Sequence, residues 1–233
     1  MNGTNYGHVT HVGRVSDQNE DSYLADIGVG LWIVSDGLGG HESGAIASSI
    51  VVNSIANAVR EGTTLVDALT GAHQAVLKAS HDGKGSPGMA ATAVALKLTG
   101  NQYEVAWVGD SRAYLWDQGL HQLTSDHTYV QRLVDDGELD VEEAQRHPQR
   151  SIMTQALGTL RSSDVLPSSV SGQLAQNAQI MLCSDGLTDE VSDAQMVAIL
   201  AKDLSAQEKV DQLIQSALDS GGSDNITALL ISG

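Results

Sequence analysis

The residues best suited to do chemistry in this chain are acids set beside glycines. The apolar run Leu31-Trp32-Ile33-Val34 ends in Ser35-Asp36-Gly37-Leu38-Gly39-Gly40-His41, and Ile180-Met181-Leu182-Cys183 ends in Ser184-Asp185-Gly186. A third acid, Asp224, follows Gly221-Gly222-Ser223 and precedes Asn225 and the apolar stretch from Ile226, while a carboxylate pair, Glu20-Asp21, follows Asn19. An aspartate fixed at a strand end, next to a glycine that permits close backbone approach, is a rigid oxygen ligand for a hard cation. Any single Asp-Gly is more simply a turn. Several together are harder to explain that way, because a turn needs neither a preceding serine nor an apolar run. If these acids converge, their combined charge requires a cation to remain ionised.

The elements that would position them can be read from periodicity. Short β-rich runs recur at Leu31 to Val34, Ala93 to Leu98, Tyr103 to Val108, Ala113 to Trp116, Gln179 to Cys183 and Ile226 to Ile231, and these predict strands. Helical spacing covers Ser43 to Arg60, Leu65 to Ser80, Asp193 to Lys202 and Ala206 to Leu218, enough to cover sheets. Tyr103 to Trp116 reads as two strands joined by Gly109-Asp110-Ser111, and most strands follow one another without an intervening helix. That order predicts an antiparallel layered fold rather than a doubly wound one. The polar, acid-rich stretch from Ser125 to Arg150 reads as a surface excursion before Ile152 to Leu157 returns to the core, and such excursions border active sites. Gly83 to Gly88 contains Gly-Lys without the glycine spacing of a phosphate-binding loop. With no repeat and no long linker, residues 1–233 are expected to form a single catalytic domain carrying a flap at about 125–150.

Bulk composition narrows the partners. The chain has 233 residues, 41% of them hydrophobic, and 12 Lys and Arg against 29 Asp and Glu, for a formal charge of -17. Such a surface repels phosphate backbones and anionic headgroups, which argues against nucleic acid and membrane. A single cysteine, Cys183, excludes an intrachain disulfide and fits a reducing compartment, so the expected location is the cytoplasm. No stretch approaches the roughly 18 apolar residues of a spanning helix, and the first twelve residues carry no export signal.

Five blocks in order, Asn19-Glu20-Asp21-Ser22, Ser35-Asp36-Gly37-Leu38-Gly39-Gly40-His41, Gly109-Asp110-Ser111-Arg112-Ala113-Tyr114-Leu115, Leu182-Cys183-Ser184-Asp185-Gly186-Leu187-Thr188-Asp189 and Gly222-Ser223-Asp224-Asn225-Ile226-Thr227, resemble the motifs of the type 2C metal-dependent protein phosphatases, nearest the compact bacterial members. The resemblance implies an α+β fold, a four-layer αββα sandwich of two antiparallel sheets flanked by helices. It implies hydrolysis of phosphoserine and phosphothreonine in proteins by a metal-activated water, reversing a bacterial Ser/Thr kinase, by a chain expected to act as a monomer. The implied cofactor is two Mn²⁺ or Mg²⁺ ions, with a third ion in some relatives. By the same resemblance Asp36 bridges two metals, the Gly37 carbonyl ligates one, Asp185 and Asp224 complete one shell, Glu20 and Asp21 serve the second ion directly and through water, and Asp110 joins Asp185 at a third. Asn225 would orient the Asp224 loop, and Cys183 would be a core thiol.

Several positions depart from the family pattern. Where relatives carry a phosphate-gripping arginine, this chain has Ser16; Arg14, two residues earlier, is either a substitute or a solvent-facing side chain. Phosphate affinity is therefore expected to be weaker than usual. Ala91 replaces one threonine of a Gly-x-Thr-Thr pattern while Thr92 keeps the other, a change that packing is expected to absorb. Leu38 stands where some eukaryotic members have a histidine, and His41 reads as the residue opening a helix. The alternatives left open are a catalytically silent phosphoprotein-binding module of the same fold and a hydrolase of nucleotides or other small phosphates.

Overall fold

A computed structural model of the protein describes residues 5–40, 42–159 and 165–233. In chain order its elements are β1 (Asn5–His11), β2 (Ser22–Asp26), β3 (Leu31–Ser35), β4 (Gly37–Leu38), α1 (Glu42–Arg60), α2 (Leu65–His81), β5 (Ala90–Ala91), β6 (Ala93–Thr99), β7 (Gln102–Val108), β8 (Arg112–Trp116), β9 (Leu120–Gln122), α3 (Tyr129–Asp135), α4 (Val141–Arg146), β10 (Ser168–Gln173), β11 (Gln179–Cys183), α5 (Asp185–Thr188), α6 (Asp193–Leu200), α7 (Ala206–Ser220) and β12 (Ile226–Ser232).

Two antiparallel five-stranded sheets face each other, one in the order β1-β12-β11-β8-β9 and the other β10-β7-β6-β3-β2. Strand alternation sorts the apolar side chains into three layers. Trp32, Val34, Val94, Leu96, Val105 and Trp107 point inward to meet Ala113, Ile180, Leu182, Leu229 and Ile231 of the opposite sheet. On the next residues along, Leu31, Ile33, Ala93, Ala95 and Ala106 pack outward against Val51, Ile55, Leu69 and Val76 of α1 and α2. The other sheet's outer face, with Tyr114, Met181, Cys183, Ala228 and Leu230, is covered by α6 and α7 through Met196, Val210, Leu213 and Ala217. These central strands read as near-continuous apolar runs because both of their faces are buried.

The expected αββα sandwich is the observed architecture. The strands missed by periodicity are the edge strands β1, β2, β9 and β10, where no apolar run stands out, and the two-residue pair β4 and β5, too short to carry a period. Within the Ser125 to Arg150 excursion lie α3 and α4, and the acidic run between them is a helix boundary: Asp140 accepts from the Glu143 N–H and Glu143 reciprocates at the Asp140 N–H. Backbone bonds from Tyr129 N–H to Ile152 O (2.8 Å) and from Thr154 N–H to His127 O (2.7 Å) close the base of this flap. The expectation for His41 falls outside the described residues.

The first and last strands are neighbours, His11 lying opposite Ile226 in antiparallel register. The segments leaving them, residues 12–21 and 221–225, therefore meet at one end of the sandwich, where β3 and β11 also end.

Candidate metal centre

Each acid singled out in the sequence is held by its own local scaffold. Asp36 leaves the buried end of β3, where its N–H donates to Thr92 Oγ1 (3.0 Å) and its carbonyl accepts from the Thr92 N–H (2.8 Å). The Ser35 hydroxyl donates to Thr92 O (2.6 Å), and Thr92 Oγ1 is also 2.7 Å from Ser111 Oγ, beside Asp110 in the β7–β8 turn. One buried threonine thus joins the Asp36 and Asp110 turns. At Ala91, by contrast, the backbone pairs with Leu157 in both directions and the methyl group is fully enclosed, which accounts for a missing hydroxyl there.

Next to Asp36, Gly37 and Gly44 permit a close approach that no other residue would. A Cβ on Gly37 would lie 2.2 Å from Gly44 O and 2.7 Å from Glu20 O, and one on Gly44 would lie 1.8 Å from Glu20 Oε2. The start of α1, the Asp36 turn and Glu20 are packed backbone to backbone.

Asp21 belongs to a different network. Its Oδ2 accepts from Ser184 Oγ (2.8 Å) and Thr227 Oγ1 (2.7 Å), which ties the N-terminal segment to the ends of β11 and β12. Asn225 is the connector expected of it: its Oδ1 accepts from the Glu20 N–H (2.7 Å), and its amide donates to Val12 O (2.8 Å) and Gln18 O (3.0 Å). Asp185 opens α5, and Asp224 accepts from the Asn225 N–H at 2.7 Å.

Asp21, Asp36, Asp110, Asp185 and Asp224 lie close enough to perturb one another's carboxyl groups. Burial raises the Asp21 carboxyl to about 7 against the pull of its two hydroxyl donors, with Asp185 and Asp224 adding repulsion. Burial pushes Asp36 well above the usual carboxylate range, and Asp185, Asp21 and Asp110 push it further. Asp110 rises to about 8 through burial and then Asp185, and Asp185 to about 6 through burial and then Asp224. The Asp36 and Asp185 carboxyl groups lie close enough to perturb each other, pushing Asp36 up and Asp185 down.

The buried oxygens Asp21 Oδ1 and Asp185 Oδ1 have no hydrogen-bond partner among the described residues, which fits an all-oxygen set for a hard cation. Among the described residues no group of three or more His, Cys, Asp or Glu side chains is placed to hold an ion as it stands. Carboxylates and a backbone carbonyl are the donor chemistry of a hard cation such as Mg²⁺.

Arg14 and Ser16 lie on the turn between β1 and the Glu20 segment, Ser16 half-buried and Arg14 exposed. The Arg14 N–H donates to Gly222 O (2.7 Å), and its guanidinium stands 3.6 Å from Asp219 at the end of α7. Arg112, from the third sequence block, is committed elsewhere: it holds Asp126 at 2.7–3.1 Å and donates to the Tyr114 hydroxyl. Cys183 is fully buried and its thiol is pushed up to about 12 by desolvation, the state of an inert core thiol. Sequence reasoning underrated Thr92, Ser184, Thr227 and Ser111; their one signal was the placing of small hydroxyl residues at strand ends beside the acids.

A layered αββα sandwich with buried carboxylates gathered at one end defines a metal-dependent phosphoester hydrolase. Comparison with known proteins gives the same class: residues 10–230 match the model of the protein phosphatase 2C family. The serine/threonine phosphatase stp of Listeria monocytogenes is 35% identical, over 95% of this chain and 93% of its own length. The serine/threonine protein phosphatase PstP of Mycobacterium tuberculosis is 37% identical over 94% of this chain, which spans 43% of that longer protein. A crystal structure of the M. tuberculosis phosphatase superposes with a TM-score of 0.89 at 34% identity, covering 98% of both chains. Another, of the PstP catalytic domain in complex with two manganese ions, gives 0.86 at 31% identity, covering 98% of this chain and 97% of that one. The chain belongs to the protein phosphatase 2C family, and it is a metal-dependent serine/threonine protein phosphatase.

Carboxylates raised above their unfolded value of about 4 hold protons longer in the folded chain than in the unfolded one, so stability is full below that value and falls as pH rises toward 8. With chelator present, Tm should drop by about 5 °C or more between pH 5 and pH 8.5, and Mn²⁺ should restore it at the higher pH far more than at the lower; a flat or rising Tm would contradict this. Replacing Thr92 by the isosteric valine strands the Asp36 N–H and the Ser111 hydroxyl, and should cost about 1–3 kcal/mol in urea unfolding together with a loss of kcat.

Proposed function

We propose that Glu20, Asp21, Asp36, Gly37, Asp110, Asp185 and Asp224 form the metal-holding centre of this phosphatase. Asp36, Asp185 and Asp224 serve the ion pair central to turnover, Glu20 and Asp21 serve its second member, and Asp110 with Asp185 offers a place for a third. The cofactor is Mn²⁺ or Mg²⁺, a reading supported by the all-oxygen donor set and by the two manganese ions of the PstP structure. When bound, the ions supply a water of lowered pKa and neutralise charge on the phosphoryl group. The observation that carries the reading is the crowding of four carboxyl groups, Asp21, Asp36, Asp110 and Asp185, each pushed up first by burial and then by neighbouring acids.

The residues around the centre divide the remaining work. Thr92 and Ser111 keep the Asp36 and Asp110 turns in register, Ser184 and Thr227 orient Asp21, and Asn225 holds the Glu20 segment against the Asp224 loop. Arg14 and Ser16 lie on the rim and are the groups of this chain that meet the substrate phosphate, with a hydroxyl standing where a bidentate guanidinium would grip more strongly. The flap between residues 125 and 150 borders the centre and selects among phosphoproteins. The physiological counterpart is a bacterial Ser/Thr kinase whose phosphorylation is reversed by this enzyme, acting as a monomer. Among the described residues no helix is long and apolar enough to cross a membrane. The cytoplasm as its place of work rests on the lone cysteine, which fits a reducing compartment.

Turnover of p-nitrophenyl phosphate should require Mn²⁺ or Mg²⁺ and fall by about a hundredfold or more in Asp36→Asn, in which a neutral amide replaces a carboxylate that helps hold the ions. A folded enzyme with no metal-dependent turnover would favour the binding-module reading instead. Ser16→Arg should lower KM for a phosphothreonine peptide by about tenfold, the worth of a charge-assisted hydrogen-bond pair; an unchanged KM would remove Ser16 from the phosphate site.

A further inference from the structure

We infer that Glu190 is a positioning residue that fixes the separation between Asp185 and Asp224 and thereby sets the affinity of the ion they share. The inference rests on the proposed metal centre and concerns a residue outside it.

Asp185 and Asp224 come from different elements, α5 and the loop after α7, and nothing in the chain order holds them together. Their backbones meet directly on the inner side, where a Cβ on Gly186 would lie 2.0 Å from Asn225 O and 3.5 Å from Asp224 Cβ. Beyond Asp224, the loop is pinned by Asn225 and by entry into β12. Ahead of it, the end of α7 is closed by Gly221 and Gly222, whose N–H groups both reach Ala217 O. Between these fixed points lies Ser223, next to Asp224.

Both donors of Ser223 are given to one atom. Its N–H and its hydroxyl reach Glu190 Oε1, at 3.0 Å and 2.6 Å. The same carboxylate abuts Gly221, where a Cβ would lie 3.1 Å from Oε1 and 3.2 Å from Oε2. Glu190 is two residues beyond the end of α5, and its own N–H is bonded to Leu187 O at 3.3 Å. A single side chain therefore straps the segment that carries Asp185 to the loop that carries Asp224, in addition to the Gly186 contact. Two separate contacts thus hold the acids' separation.

Ser223 is exposed, so water can satisfy its donors when Glu190 is shortened, and the packed elements α7 and β12 keep their contacts. What is lost is order in the Asp224 loop, not the fold. Partners that orient ligands in this way set metal affinity more than chemistry.

Direct Mn²⁺ binding by isothermal titration calorimetry tests this on the full chain. Glu190→Ala should weaken the Mn²⁺ Kd about tenfold, while kcat at saturating Mn²⁺ changes far less. Glu190→Gln should bind nearly as the parent does, because its amide oxygen accepts both Ser223 donors without the charge. Ser223→Ala, which keeps the backbone bond and loses the hydroxyl, should fall between, and it carries the test if Glu190→Ala does not fold. A parent-like Kd in Glu190→Ala, or in Ser223→Ala when that variant stands in, overturns the inference alone, as does Glu190→Gln binding as weakly as Glu190→Ala, which would make the effect one of charge. A parent chain that takes up no Mn²⁺ overturns the metal centre and this inference with it.

Discussion

The structure depends on a repulsion that the fold does not relieve by itself. Asp21, Asp36, Asp110 and Asp185 are held away from water beside other acids, and both push each carboxyl up, an arrangement that destabilises the folded chain wherever they must all be charged. The surroundings answer with rigidity. Hydroxyl donors, amide connectors and glycine contacts hold each acid where relaxing away from its neighbours would break several hydrogen bonds at once. Stability is given up locally to keep a site that a divalent cation can complete, and the three apolar layers of the sandwich supply the compensation.

That division of labour explains what could be read from the sequence. The inner strands were legible because two-sided burial writes them as unbroken apolar runs, Leu31 to Val34 and Gln179 to Cys183 among them. The acids at their ends were legible because each follows such a run and borders a glycine. Strands β1, β2, β9 and β10 were not, since an edge strand has one wet face and its polar alternation looks like loop. The scaffold of the site was the least visible part. Thr92 reads as an ordinary core threonine, and only the meeting of β3 with the residue before β6 turns it into the joint between two acid-bearing turns. Glu190 carries no sequence signal at all, because its partner Ser223 lies 33 residues away across a loop.

The same contrast separates the parts that resemble relatives from those particular to this chain. Blocks containing the acids coincide with the family's motifs, and the sandwich superposes closely on solved phosphatases at modest identity. On the turn between β1 and the Glu20 segment, Arg14 is turned to Asp219. An exposed ion pair of that length is weak, so it orders the guanidinium little.

The pairing of β1 with β12 has a consequence for how the enzyme comes into being. Asn225 is bonded to Val12 across 213 residues of chain, so the segments that follow β1 and precede β12 close on one another like the two halves of a clasp. Glu20, Asp21 and Asp36 are made early, but β1 gains its neighbour only once β12 has been made. Until then Asn225 is not there to hold the Glu20 segment, and the acids of the early part of the chain wait on the late part for their arrangement.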